Sequence, residues 1–143
     1  MIKVEHSVTI NKPAADVFAY IVDPANTVKY DDELLESKLL TPGPIAVGSV
    51  ITDKRKFIGR EMDSELKVTA YEPNSRFALK VTKGPVPFEI TYTLSAAGGG
   101  TQLNVKAEGE PGGFFKLAGG MVAKQLQASL EKTSAQIKKN LES

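Results

Sequence analysis

The chain contains no cysteine and only one histidine, His6. The first absence excludes disulfides, thiolate metal sites and a cysteine nucleophile. The second excludes a zinc site built on several imidazoles and confines any Ser-His-Asp triad to His6. An excess of charge of one sign is also missing: 18 Lys and Arg stand against 17 Asp and Glu, leaving +1. That balance gives no electrostatic reason to expect nucleic acid or an anionic membrane as partner. No apolar run approaches the length that spans a bilayer, so no integral membrane segment is expected. The opening MIKVEHSVTI alternates too regularly for a signal peptide and lacks a cleavage pattern. Repeats, low-complexity tracts and an interdomain linker are absent too. The expectation is one cytoplasmic domain over residues 1–143, long enough to bury a core without staples.

What is present is mostly period two. In residues 2–10, Ile2, Val4, His6, Val8 and Ile10 share one face and Lys3, Glu5, Ser7 and Thr9 the other, which predicts a half-buried strand. Pro13 then suits a first helical turn. Ala14, Val17, Phe18 and Ile21 follow at helical spacing, predicting a short amphipathic helix over residues 13–21. Asp23 can cap a second helix with Pro24 at its first position, ending near Tyr30. Strands are predicted at residues 33–41, 48–57, 60–71, 76–82, 88–95 and around 103–107, separated by turn signals such as Pro42-Gly43-Pro44 and the tip at residues 97–100. From about Phe114 to Leu141 an apolar stripe of Leu117, Met121, Leu126, Leu130, Thr133, Ile137 and Leu141 predicts a long helix. Short links between the late strands imply an antiparallel sheet, and the helix must bury its stripe against it. A twisted sheet curling around a helix cannot touch it everywhere. The two short helices read as a wedge closing one end of the hollow that remains.

INKPAADVFAYIVDPANTVKY resembles the opening signature of the START-like, Bet v 1-like superfamily (SRPBCC): an Ile, a Pro, a Val-Phe pair, an Asp-Pro and an aromatic beyond. VGSVITDKRKFIGREM, VTAYEPNSRFAL, FEITYTLSAAGGGTQLNVKAEGEPGG and LEKTSAQIKKNLES are similar to its later strands and final helix. The resemblance covers nearly the whole chain and is strongest to the bacterial polyketide cyclase/dehydrase-like branch, in which Tyr30 stands where Trp is usual. It implies an α+β helix-grip fold: a curved seven-stranded antiparallel sheet wrapped on a long C-terminal helix, with two short helices between strands one and two. It also implies a cavity for apolar or amphipathic molecules, and no metal or organic cofactor. Members of the superfamily bind hormones, carry lipids or quinones, cyclise polyketides or activate a chaperone ATPase, so fold alone does not choose among uses.

Met62, Leu66, Phe77, Leu79, Phe88, Ile90 and Leu103 are expected to line such a cavity from the sheet, and Leu117 and Met121 from the helix. Tyr30, at the end of the second helix, is a candidate at its mouth or else an anchor of the core. Tyr92 shares the face of Phe88 and Ile90, and its phenol needs a partner when buried. The facing of residues 50–57 stays open. If Ile51 and Phe57 point inward, Asp53 and Arg55 follow, giving an internal ion pair or a carboxylate-binding arginine; in the other register both are solvated. His6 on the inward face is either an acid–base group or locally satisfied. Glu61, Asp63 and Glu65 lie opposite Met62 and Leu66 and read as a solvated face. Loops 57–60 and 83–87 are candidate lids. The expected function is binding, with transport as a further use, of a small hydrophobic or amphipathic ligand such as a lipid, isoprenoid or aromatic polyketide. The alternatives are a cyclase or dehydratase using Tyr92, Arg55 and His6, and a protein-interaction module.

Overall fold

A computed structural model of the chain describes residues 2–57, 59–84, 88–109 and 119–143. The elements run β1 (Ile2–Ile10), α1 (Ala14–Val22), α2 (Pro24–Tyr30), β2 (Leu34–Leu39), β3 (Val50–Phe57), β4 (Arg60–Glu72), β5 (Arg76–Lys83), β6 (Phe88–Ala97), β7 (Gly100–Gly109) and a long helix, α3 (Gly119–Glu142). The strands form one seven-stranded sheet in the order β1-β7-β6-β5-β4-β3-β2, and every pairing is antiparallel.

Local chemistry places the boundaries. Pro13 precedes α1 in an extended conformation, and its carbonyl accepts from the N–H groups of Asp16 and Val17 at 3.0 and 3.2 Å. The Asp23 carboxylate accepts from the N–H of Ala25 at 2.9 Å, capping α2 behind Pro24. Gly98 and Gly99 both take positive φ, 55° and 89°, between the paired Ala97 and Gly100. Two consecutive left-handed residues are what a two-residue hairpin requires. Gly100 is needed for another reason: a Cβ there would stand 2.4 Å from the Ile10 carbonyl oxygen.

α3 lies along the edge strand β1. Gln127 donates to the Glu5 carbonyl at 3.2 Å and Lys138 to the Thr9 carbonyl at 2.6 Å. Its far end is clamped to the short helices, where the Asn140 amide donates to the Tyr20 hydroxyl at 2.9 Å and to the Lys29 carbonyl at 3.1 Å. The buried stripe of α3 is Val122, Leu126, Leu130, Ser134, Ile137 and Leu141, at steps of three and four. Met121, expected inward, is 52% exposed, because the step from 121 to 126 breaks helical period while Val122 to Leu126 keeps it. Leu117 and the expected helix start near Phe114 lie outside the described residues.

Two apolar clusters fill the space between sheet and helices. The larger gathers Ile10, Val17, Phe18, Ile21, Phe77, Leu94, Leu103 and Ile137 where α1 wedges in. The smaller joins Phe88 and Val122 with Ile2, Met62 and Leu126. Within the larger, Phe77 meets Phe18 and Tyr71 edge-on at 6.4 and 6.1 Å and stacks on Tyr92 at 6.2 Å.

Candidate functional site

A cavity of about 130 Å³ lies between the two clusters, and its wall draws on both. Met62, Leu66, Leu79, Val81, Phe88 and Ile90 line it from β4, β5 and β6. Val105 and Ala107 do so from β7, and Leu126 and Leu130 from α3. The polar groups come from α2, the α2–β2 connection, β3 and the middle of α3: Thr27, Asp31, Glu33, Asp53, Arg55, Ser129 and Thr133, with Ser64 and Tyr92 from the sheet. The cavity is an apolar chamber with a concentration of charge at one part of its wall.

The facing of β3 is settled by its pairing. Ile51 stands opposite the buried Leu66, so Ile51, Asp53 and Arg55 face inward while Lys54 and Lys56 face out. Arg55 Nη2 donates to Asp31 Oδ2 at 3.0 Å and stands 3.8 Å from Asp53 Oδ2. Asp31 follows α2 directly, its N–H bonded to the Thr27 carbonyl at 3.0 Å, and its other carboxylate oxygen accepts from the Glu33 N–H at 3.2 Å. Glu33 accepts from the Ser129 hydroxyl in a short hydrogen bond and from Gln125 at 3.4 Å, tying the start of β2 to α3. Outside this contact an open cleft of about 430 Å³ is lined by Asp32, Lys56, Gly59, Gln125 and Lys132, and shares Glu33 and Ser129 with the inner cavity.

Burial works against the positive charge of Arg55, but Asp31 and Asp53 outweigh it and hold the guanidinium above its ordinary value. Asp53, with a side chain 7% exposed, has a buried Oδ1 without a hydrogen-bond partner. Burial raises its carboxyl above the usual range, against the pull of Ser37 and Arg55. Tyr92 is also raised, first by burial and then by Asp31, so it stays a neutral phenol at physiological pH. It can orient a guest by hydrogen bonding but cannot serve as a base there.

A group raised on folding contributes most below its unfolded value and loses that contribution as pH climbs through the folded one. Asp53 therefore penalises the fold at neutral pH. Asp53→Asn is expected to stabilise the protein by about 1–2 kcal/mol at pH 7, the scale of an unsatisfied buried polar group. The advantage should shrink as the pH is lowered toward 4 and the carboxyl begins to take up its proton. Thermal unfolding of both proteins at the two pH values measures it, and a gain that grew on acidification would contradict this account.

The remaining expected residues sit elsewhere. Phe77, 1% exposed, and Leu103, 0%, are in the packed core beside the cavity, where the wedge of α1 brings the layers together. Tyr30 is buried with its hydroxyl donating to the Ile21 carbonyl at 3.2 Å, anchoring α2 on α1 instead of standing at a mouth. His6 is half-buried on β1 opposite Val105 and does not line the cavity. Glu61 and Asp63 are exposed, and Glu65 pairs with Lys83 at 3.5 Å. Of the candidate lids, Gly59 lines the outer cleft, while residues 58 and 85–87 lie outside the described residues. Asp31, Asp32 and Glu33 gather carboxylate oxygens within 4.8 Å of one another, but each is engaged, by Arg55, by Lys132 and by Ser129.

A seven-stranded antiparallel sheet packed on a long C-terminal helix beside a cavity has the helix-grip fold of START-like and Bet v 1-like structures. The chain belongs to the polyketide cyclase/dehydrase and lipid transport family, whose sequence model matches residues 1–142. No curated protein sequence matches it. Among solved structures it is similar to a START superfamily protein from Mycobacterium smegmatis, with TM-score 0.86, 16% identity and coverage of 99% of this chain and 98% of that one. TTHA0849 from Thermus thermophilus superposes with TM-score 0.85 at 15% identity, covering 98% of this chain and 97% of that one. The di-domain ARO/CYC protein BexL gives TM-score 0.76 at 14% identity over 99% of this chain and 47% of its own. At these identities the likeness is one of fold. Among the described residues, no helix is long and apolar enough to cross a membrane.

Proposed function

We propose that the chain captures a small, largely apolar molecule bearing one polar group in the cavity between sheet and α3. The observation that carries this reading is the cavity of about 130 Å³, apolar on most sides, with Asp53, Arg55 and Tyr92 on its wall. Its size sets the guest. An apolar cavity near 150 Å³ accommodates a benzene ring, so the chamber as it stands takes one ring or a short branched chain, and a longer molecule would extend past Glu33 into the outer cleft. The family's description joins polyketide cyclisation with lipid transport, and both handle molecules of this character.

Turnover in the same chamber is the second reading, and one observation favours it: the cavity-lining Asp53 is a buried carboxylate with one oxygen left without a hydrogen-bond partner. In a cyclase or dehydratase, Asp53 would accept the proton, Arg55 would hold Asp53 and Asp31 in place, and Tyr92 would orient the substrate oxygen.

The test of binding is titration with p-cresol, followed through the methyl NMR signals of Leu79, Ile90 and Leu130. A dissociation constant of roughly 0.1–1 mM is expected for a guest with so few atoms. Ala107→Leu should abolish the shifts while the protein stays folded, because three added carbons occupy the void the guest needs. Unchanged shifts in that variant, or none in the parent, would overturn the proposal.

A further inference from the structure

We infer that the polar part of the cavity is a subsite for a hydrogen-bond donor: it accepts a neutral hydroxyl, phenolic or aliphatic, on Asp53 Oδ1 and rejects carboxylates. The inference rests on the ligand-binding reading above and specifies what kind of ligand the site takes.

Three observations carry it. First, Asp53 lines the cavity with its side chain 7% exposed, and its Oδ1 is buried without a hydrogen-bond partner. Buried polar atoms in folded proteins are nearly always partnered, so a buried acceptor left unpaired in a cavity-lining side chain marks a place for a donor, beside the pull that Ser37 already exerts on the carboxylate. Second, the arginine that would otherwise attract an anionic guest is already engaged. Arg55 gives its 3.0 Å hydrogen bond to Asp31 and keeps Asp53 Oδ2 at 3.8 Å. Third, the wall carries the carboxylates of Asp31, Glu33 and Asp53 against the single guanidinium of Arg55. A guest carboxylate would enter a field of its own sign beside largely buried acids, where screening is weaker than in bulk water. A hydroxyl avoids that cost and supplies the missing donor, and its oxygen can still accept from the Tyr92 phenol on the same cavity. A charged amine would also find the field favourable, but it must shed its hydration beside Arg55, which a neutral hydroxyl does not.

Four one-ring probes of closely graded size decide the matter: toluene, p-cresol, 4-methylanisole and benzoate. Each is titrated into the parent protein and into Asp53→Val, which keeps a strand-compatible side chain without an acceptor. In the parent, p-cresol is expected to bind at least tenfold tighter than toluene and 4-methylanisole, which are smaller and larger than it and lack a donor. Benzoate is expected to bind more weakly than any of them. In Asp53→Val the advantage of p-cresol over toluene should fall below about threefold, the signature of a lost hydrogen bond to a charged group. Should Asp53→Val fail to fold, the ranking in the parent alone decides. If 4-methylanisole or benzoate matches p-cresol, the donor subsite is wrong while the cavity remains a binding site. If none of the four shifts the cavity methyls, the binding reading falls and this inference with it.

Discussion

Replacing Arg55 with Met is expected to cost about 3–5 kcal/mol of stability at pH 7, because it leaves the carboxylates of Asp31 and Asp53 buried without their cation. The side chains of Asp31 and Asp53 are 15% and 7% exposed, so water replaces the lost guanidinium poorly. Met keeps much of the side chain's length and apolar stem, so the loss reports charge more than packing. Urea unfolding measures it. Two controls separate charge from shape. Lowering the pH should shrink the deficit as the Asp53 carboxyl, already raised by burial, takes up its proton. Adding Asp31→Asn and Asp53→Asn to Arg55→Met should recover most of the loss, since a neutral cluster has no charge left to strand. A cost below about 1 kcal/mol would mean that the ion cluster is effectively solvated, and the account of the cavity's polar wall would fail with it.

The same arithmetic bears on function. A cluster of two acids and one base inside a domain of 143 residues is an expensive way to hold strands together, and apolar residues of similar size serve stability as well or better. Asp53 in particular weakens the fold at neutral pH by its burial. Perturbed buried charges cluster at functional sites, and structural ion-pair networks perturb them as well, so position has to decide between the two. The location favours the first, since the cluster borders the cavity between sheet and helix.

How much of this was legible in the sequence depends on which interaction fixes each feature. Strict alternation in residues 2–10 and the paired glycines at 98 and 99 are local signals, and β1 and the β6–β7 hairpin follow them. Asp23-Pro24 carries its own cap and begins α2 where expected. The facing of β3 was open because Val50 and Thr52 compete with Ile51 for the inner side. Only the pairing of Ile51 with Leu66 decides, and that is a contact between strands. Thr69 shows the same limit, since the register shift between Val68 and Ala70 brings Tyr71 to the aromatic cluster against simple alternation. Asp31 and Glu33 escaped notice because they sit in a connection without period, and their role comes from Arg55 and Ser129 far along the chain. Periodicity also gave the inner side of β5 and β7 without saying where along the strand the layers part. Phe77 and Leu103 lie where α1 closes the gap, Leu79 and Val105 where it opens.

That division gives the last prediction its content. Phe77→Ala is expected to cost about 3–5 kcal/mol, because the ring is 1% exposed and its removal opens a void among Phe18, Tyr71 and Tyr92. Phe77→Leu, which refills part of the space, should cost clearly less, in the range of about 1–2 kcal/mol. The functional consequence runs through Tyr92, which stacks on Phe77 at an interplanar angle of 28° and also lines the cavity. With the ring gone, Tyr92 is free to tilt into the vacated space, so the void and the chamber can merge. Phe77→Ala should therefore bind 2-naphthol more tightly relative to p-cresol than the parent does, even as it loses stability. Urea unfolding gives the first effect and methyl NMR titration with the two phenols the second. A large loss of stability with an unchanged preference would show that Tyr92 holds its place alone, and that the boundary between packed core and cavity is set by the sheet rather than by the aromatic cluster. A loss under about 1 kcal/mol would show that the α1 wedge does not depend on Phe77, against the packing described for this end of the fold.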